Sequence, residues 1–158
     1  MDIEQKNRET QLSAVAARER IEQLESVIRQ QDDAVEGDSD MFPLTHTFCE
    51  GIYLREIFLP KGSLCVGKIH KTRHPNIILQ GEVLVTTDRS EEAVRLRAPM
   101  YFISEPGLKK VVYAVEDSTW MTIHRTDKDT PEAVEEDVIA RTYDELPEAI
   151  RKAIAWHS

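Results

Sequence analysis

The sequence predicts a mainly β domain set between helical ends, and three observations predict it. Between residues 42 and 125, eight or so short apolar segments recur at intervals of about ten residues, separated by Gly, Pro and Asp-rich turns, with no helical stretch among them. Residues 2–35 contain neither Gly nor Pro and are dominated by Gln, Glu, Arg and Ala, all fair to good helix formers. Residues 126–158 return to helical spacing. The many short strands imply a β-sandwich or β-barrel.

With 158 residues and 18.1 kDa, the chain has room for one domain plus appendages, and 41% apolar residues supply one modest core. No apolar run approaches the length of a membrane span. The start, Met1-Asp2-Ile3-Glu4, lacks the basic and apolar regions of a secretory signal. Cys49 and Cys65 form no CxxC pair and read as two reduced core thiols. The net charge of −9 is unevenly spread. Residues 1–40 hold eleven acids against five bases, and residues 126–158 hold nine against four. The middle is slightly basic, with eleven bases against nine acids. This distribution argues against non-specific nucleic-acid binding by the whole chain and leaves room for a local anion site.

In order, residues 1–35 form an amphipathic helix. A heptad with a at Ala14, Ile21, Ile28 and Val35 places Ile3, Thr10, Ala17, Leu24 and Gln31 at d. The seam is best from Ala14 to Ile28, and Arg20 and Glu25 fall at g and e. The expectation is a short coiled coil, with Ala14, Ile21, Leu24 and Ile28 as oligomerisation residues; the competing reading is one helix lying on its own domain or on a partner. Residues 36–41 are an acidic linker. Strands follow at Ile52–Leu59, Ser63–Ile69, Asn76–Leu79, Glu82–Thr87, Ala93–Arg97, Tyr101–Ile103, Val111–Val115 and Thr119–His124. Thr130-Pro131-Glu132 is a helix start: a capping hydroxyl, Pro at the first position and an acid in the first turn. A last helix runs from about Pro147 to Trp156, with Leu146, Ile150, Ala153 and Ile154 on one face.

The chemistry-bearing stretch is Gly67-Lys68-Ile69-His70-Lys71-Thr72-Arg73-His74, which leads into the apolar strand Ile77-Ile78-Leu79 and the turn Gly81-Glu82. Later come Glu105-Pro106-Gly107-Leu108-Lys109-Lys110 and Trp120-Met121-Thr122-Ile123-His124. Residues 42–124 resemble the cupin superfamily, the small double-sheet jelly rolls, and their wording is similar to cupin-like proteins of tailed bacteriophages. The resemblance covers about half of the chain. It implies a cupin-like jelly-roll barrel over 42–125; the heptad and helical spacing read above add an N-terminal coiled-coil-type helix and a C-terminal helical tail over 126–158. It also implies that His70 takes the second metal-ligand position and His74 the carboxylate position, while Lys68 and Lys110 stand where the other two histidines belong. Alternation along 66–70 puts Lys68 on the face of His70.

Two ammonium groups among four ligand positions would repel a divalent metal. The expected metal site is therefore degenerate, with no cofactor. The alternatives are a divalent metal on His70 and His74, joined by His124 or Glu82, or an anion pocket of His70, His74, Lys109 and Lys110. His124, at a strand end, reads as a surface residue. Trp120, Tyr101 and Tyr113 read as packing residues. There is no nucleophile elbow, P-loop, dinucleotide fingerprint or HExxH.

The favoured function is a non-enzymatic structural or interaction protein. It would be a phage virion-associated component that forms homo-oligomers and docks onto other virion proteins through its terminal helices, without membrane contact or sequence-specific nucleic-acid binding. The alternative is a metal-dependent or anion-binding enzyme or binder in the host cytoplasm, acting on a small sugar, phosphate ester or organic acid. A regulatory binding module is a third option, and no DNA-reading motif accompanies it.

Overall fold

The computed structural model describes residues 2–157, apart from the side chains at positions 7, 11, 91 and 155–157. In chain order its elements are α1 (Ile3–Arg29), β1 (Leu44–Cys49), β2 (Ile52–Leu59), β3 (Leu64–Val66), β4 (Ile69–His70), β5 (His74–Gln80), β6 (Glu82–Thr87), β7 (Ser90–Arg97), β8 (Met100–Ser104), β9 (Lys110–Ala114), β10 (Ser118–Arg125), α2 (Pro131–Val138), β11 (Ile139–Ala140) and α3 (Glu148–His157). One sheet has the order β1-β2-β10-β5-β8 and the other β3-β9-β6-β7. Leaving β1 and the short β4–β11 pair aside, four antiparallel pairs are nested: β2 with β10, β3 with β9, β5 with β8, β6 with β7. Successive pairs fall alternately on the two sheets, which is how a folded ribbon wraps into a jelly roll. The fold is mainly β with helices at both ends, as the sequence predicts.

The period of two along each strand sorts inside from outside. On β5, His74, Asn76 and Ile78 point in; on β10, Ser118, Trp120, Thr122 and His124 do; on β2, Tyr53 and Leu59 mark the same face. Leu59, Ile78 and Trp120 from one sheet meet Val83, Val85, Val112 and Ala114 from the other to form the core. Full burial of each large apolar side chain there contributes about 1.5–3 kcal/mol. The β5–β6 turn needs Gly81: its φ is +84°, and a Cβ there would run into Asp117 O and Ser118 Oγ.

Several expectations change. The segment 63–69 is two strands: β3 pairs with β9, the Gly67 N–H makes the last bond to that strand at Lys110 O (2.8 Å), and β4 then pairs with β11 instead. The alternation argued for Lys68 and His70 therefore does not carry across the break. A strand appears at Leu44–Cys49, where the Thr-rich sequence shows little apolar alternation. Cys49 is exposed at its end, whereas Cys65 packs against the core. Tyr101 and Tyr113 are exposed.

The first helix stops at Arg29, short of residue 35. A basic residue suits the negative end of the helix dipole, and Asp32 and Asp33 just beyond do not. Its seam lies on the chain's own domain: Ala17 and Ile21 are buried, Ala14, Leu24 and Ile28 partly so. Arg18 sits 3.6 Å from Asp88 and lies over the Tyr143 ring, and Glu25 pairs with Lys109. The competing reading of a helix lying on its own domain is thus the arrangement seen. None of the described helices is long and apolar enough to cross a membrane.

The C-terminal segment packs on the barrel. Thr130 Oγ1 accepts the Ala133 N–H at 3.3 Å, with Pro131 at the first helical position, so the sequence-read cap is present. Val134 and Val138 pack against Tyr53, and Ala140 and Leu146 against Ile69. Through β11 this segment pairs with β4, setting Ile139 opposite His70.

Candidate metal centre

Three histidines from three strands converge at one end of the barrel. His70 ends β4. Its backbone is held on both sides, by pairing with Ile139 and by the Gly107 N–H donating to His70 O at 2.8 Å. His74 opens β5, and His124 lies near the end of β10. The His70 and His74 ring centroids are 4.2 Å apart, His74 and His124 4.8 Å, and His70 and His124 5.3 Å with the rings nearly parallel. One nitrogen from each ring lies within 4.8 Å of the others. His74 and His124 are 2% and 3% exposed.

The hydrogen bonds decide which nitrogens are free. His74 Nδ1 donates to Thr72 O at 3.0 Å, which places the proton on Nδ1 and leaves the Nε2 lone pair. That Nε2 is buried without a partner, as are His70 Nδ1 and His124 Nδ1. A buried polar atom left unsatisfied costs about 1–3 kcal/mol, so three together call for a common partner.

Electrostatics keep these donors uncharged. Burial pushes His70 down to about 2, helped by His74 and His124 and then by Lys110 and Arg55. Burial brings His124 down to about 4, with smaller effects from His74 and Arg55. His74 is also lowered by burial, which outweighs the opposing bond to Thr72. Neutral imidazoles with open lone pairs are the donors a divalent transition metal takes, and three of them leave a position for water or a ligand. The residues present fit such an ion.

The site residues read from the sequence are placed differently from one another. His70 and His74 come together as expected. His124 joins them and is buried, contrary to its surface assignment. The signal was legible: Ser118, Trp120, Thr122 and His124 alternate on one face, and the indole fixes that face as inward. Glu82 is not a ligand; Arg95 and Arg97 hold its carboxylate. Lys68 turns outward to Glu135 at 2.9 Å. Lys109 carries its ammonium to Glu25 and so stands apart from the histidines. Lys110 stays near them, 7% exposed, and burial lowers its ammonium to about 8, partly opposed by Asp88.

No protein-family profile matches the chain, and no curated protein matches it in sequence. Among solved structures it is similar to the cupin domain of Schizosaccharomyces pombe Cnp3, at 18% identity over 65% of this chain and 74% of that one, with a TM-score of 0.48. It is similar to KdgF from a Halomonas species, at 13% identity over 60% and 88%, with a TM-score of 0.48. A third is an RmlC-like cupin of Methanocaldococcus jannaschii with a double-stranded β-helix fold, at 14% identity over 64% and 92%, with a TM-score of 0.47. These neighbours are cupin superfamily proteins; likeness at this level carries nothing about activity, and the jelly-roll assignment rests on the nested strand order.

Proposed function

We propose that this chain is a metal-binding jelly-roll protein in which His70, His74 and His124 hold one divalent transition metal and leave room for a small ligand. The carrying observation is the convergence of three buried, partnerless imidazole nitrogens. Such an ion would supply Lewis acidity toward a ligand oxygen. The chain's own part is to hold the donors. The Thr72 carbonyl sets the His74 tautomer, the β4–β11 pairing and Gly107 fix His70, and Tyr53 stacks against His124 with ring centroids 6.3 Å apart. Elemental analysis of the purified protein tests this. One equivalent of Zn, Fe, Ni, Mn or Cu is expected, and it should be absent from the His70→Ala, His74→Ala double variant. Added metal at a hundred times its Kd should stabilise the wild type by about 2.7 kcal/mol and the variant not at all. Metal content equal in the two proteins would sink the reading.

The second reading is a homo-oligomeric, virion-associated structural protein. It draws on the phage-like wording of 42–124 and on one observation: α1 buries one stripe on its own domain yet leaves Ile3, Leu12, Val15 and Val27 exposed. Co-purification with intact virions, lost when those four residues are made polar, is its test.

A further inference from the structure

Among the described residues, the buried acidic and basic side chains are paired, with one exception. Asp88 accepts from the Lys109 N–H and the Tyr143 hydroxyl and lies beside Arg18. Glu82 holds Arg95 and Arg97, and Lys109 holds Glu25. The exception is Lys110; Arg55, which is half-buried, shares its lack of a partner. Among the described residues, neither Lys110 nor Arg55 forms an ion pair or a side-chain hydrogen bond. Lys110 is nine-tenths buried all the same. It comes from β9 on one sheet, where it alternates with Val112 and Ala114 of the core and follows three residues after Gly107, whose N–H meets His70 O. Arg55 comes from β2 on the other sheet, at the parity of the inward Tyr53 and Leu59 and opposite Thr122, two residues from His124. Thr122 is the register neighbour of both Arg55 and Asn76, and its Oγ1 is also buried without a partner.

A divalent ion on three neutral imidazoles beside these two cations would leave a strongly positive, poorly hydrated site. Only an anion offsets that. A neutral sugar would leave every one of those charges in place. We infer that Lys110, Arg55 and the Thr122 hydroxyl form an oxyanion subsite beside the His70–His74–His124 centre, so that a metal and a small carboxylate or phosphate bind cooperatively. The inference rests on the metal reading above and narrows its ligand class. The guanidinium and ammonium suit the oxygens of either anion, and the hydroxyl donates a third bond. Because coupling is reciprocal, the anion must tighten the metal by the factor that the metal tightens the anion.

The test uses Co²⁺ on the full chain, followed by its visible absorption in a non-coordinating buffer. The three additions are oxalate, inorganic phosphate and glucose, corrected for the metal each removes in solution. One or both oxyanions should tighten Co²⁺ by about tenfold and change its spectrum, and glucose should do neither. Whichever of oxalate and phosphate acts assigns the carboxylate or the phosphate class. In the Arg55→Met, Lys110→Met double variant, Co²⁺ without anion should bind at least as tightly as in the wild type, because a repulsion is gone. The anion effect should fall below about twofold. A damaged barrel would not bind bare metal better. Arg55→Lys and Lys110→Arg keep the charges and should keep the anion effect, which covers failure of the double variant to fold. Co²⁺ binding that ignores oxyanions in the wild type overturns the subsite and leaves the metal reading standing. Absence of Co²⁺ binding under every condition overturns both.

Discussion

The two ends of the barrel are built from the same three strands and differ in nearly every physical respect. Toward one end β2, β5 and β10 contribute Leu59, Ile78 and Trp120, which close against four aliphatic residues of the second sheet. Toward the other they contribute Tyr53, His74 and His124, joined by His70. The first end satisfies itself: apolar groups meet apolar groups. The second leaves imidazole nitrogens and the Thr122 hydroxyl without partners. One end satisfies its own groups and the other carries a cost that the proposed metal would offset. Asn76 joins them. It accepts the Trp120 indole N–H at 3.0 Å and donates to Ser104 Oγ at 2.9 Å, one alternation away from His74.

This contrast predicts that substitutions at the apolar end act on stability and those at the histidine end act on binding. Ile78→Ala has the largest effect on folding. Ile78 is fully buried, so the loss should be about 2–5 kcal/mol, with metal stoichiometry unchanged in the folded fraction. Denaturant melts beside elemental analysis check this, and loss of metal from a folded Ile78→Ala protein would merge the two ends. Trp120→Phe comes next. It keeps most of the ring and removes the donor to Asn76, at a cost of about 1–3 kcal/mol for the buried acceptor left behind. A similar loss in an Asn76→Ala, Trp120→Phe double variant relative to Asn76→Ala would show the hydrogen bond to be irrelevant.

A smaller effect belongs to Glu82, at the turn below the apolar end. The Arg97 hydrogen bond holds its carboxyl below the usual 4.5; burial opposes this and Arg95 adds to it. A carboxyl with a lower value folded than unfolded contributes stability above the unfolded value and loses it as pH falls through the folded one. The wild type should therefore weaken below about pH 4.5, and Glu82→Gln should show a flatter acid limb. Unfolding midpoints between pH 3 and 6 read this; parallel acid limbs would remove Glu82 from the account.

How much of this was legible in the sequence follows from which forces act locally. β2 and β6 were read to the residue, because alternation and the Gly81 turn are local signals. His70 and His74 were read as a pair because they lie four residues apart. For His124, alternation with Trp120 gives the inward face, but its partners lie about fifty residues away and only strand pairing brings them together. The cations misled for a related reason. A continuous strand at 63–69 would put Lys68 beside His70, but the break at Gly67 sends Lys68 outward to Glu135. The N-terminal heptad was real as a pattern. A seam of Ala17 and Ile21 serves a barrel wall as readily as a second helix, and periodicity does not name the surface it meets.

The smallest expected change in folding is also the sharpest test of the contrast. His124 is buried, held neutral by its surroundings, and its Nδ1 has no partner. If the histidine end is costly to the empty protein, removing that nitrogen should help it. His124→Leu replaces a partnerless polar ring with an apolar side chain beside Tyr53, in a site already withdrawn from water. The metal-free variant should gain about 0.5–2 kcal/mol. The same variant should lose metal-induced stabilisation, since two imidazoles remain where three are needed. Thermal melts with and without metal separate the two effects. An apo protein destabilised by His124→Leu, with metal stabilisation retained, would mean that the histidine end is an ordinary packed core and that its orphaned nitrogens have no ligand to meet.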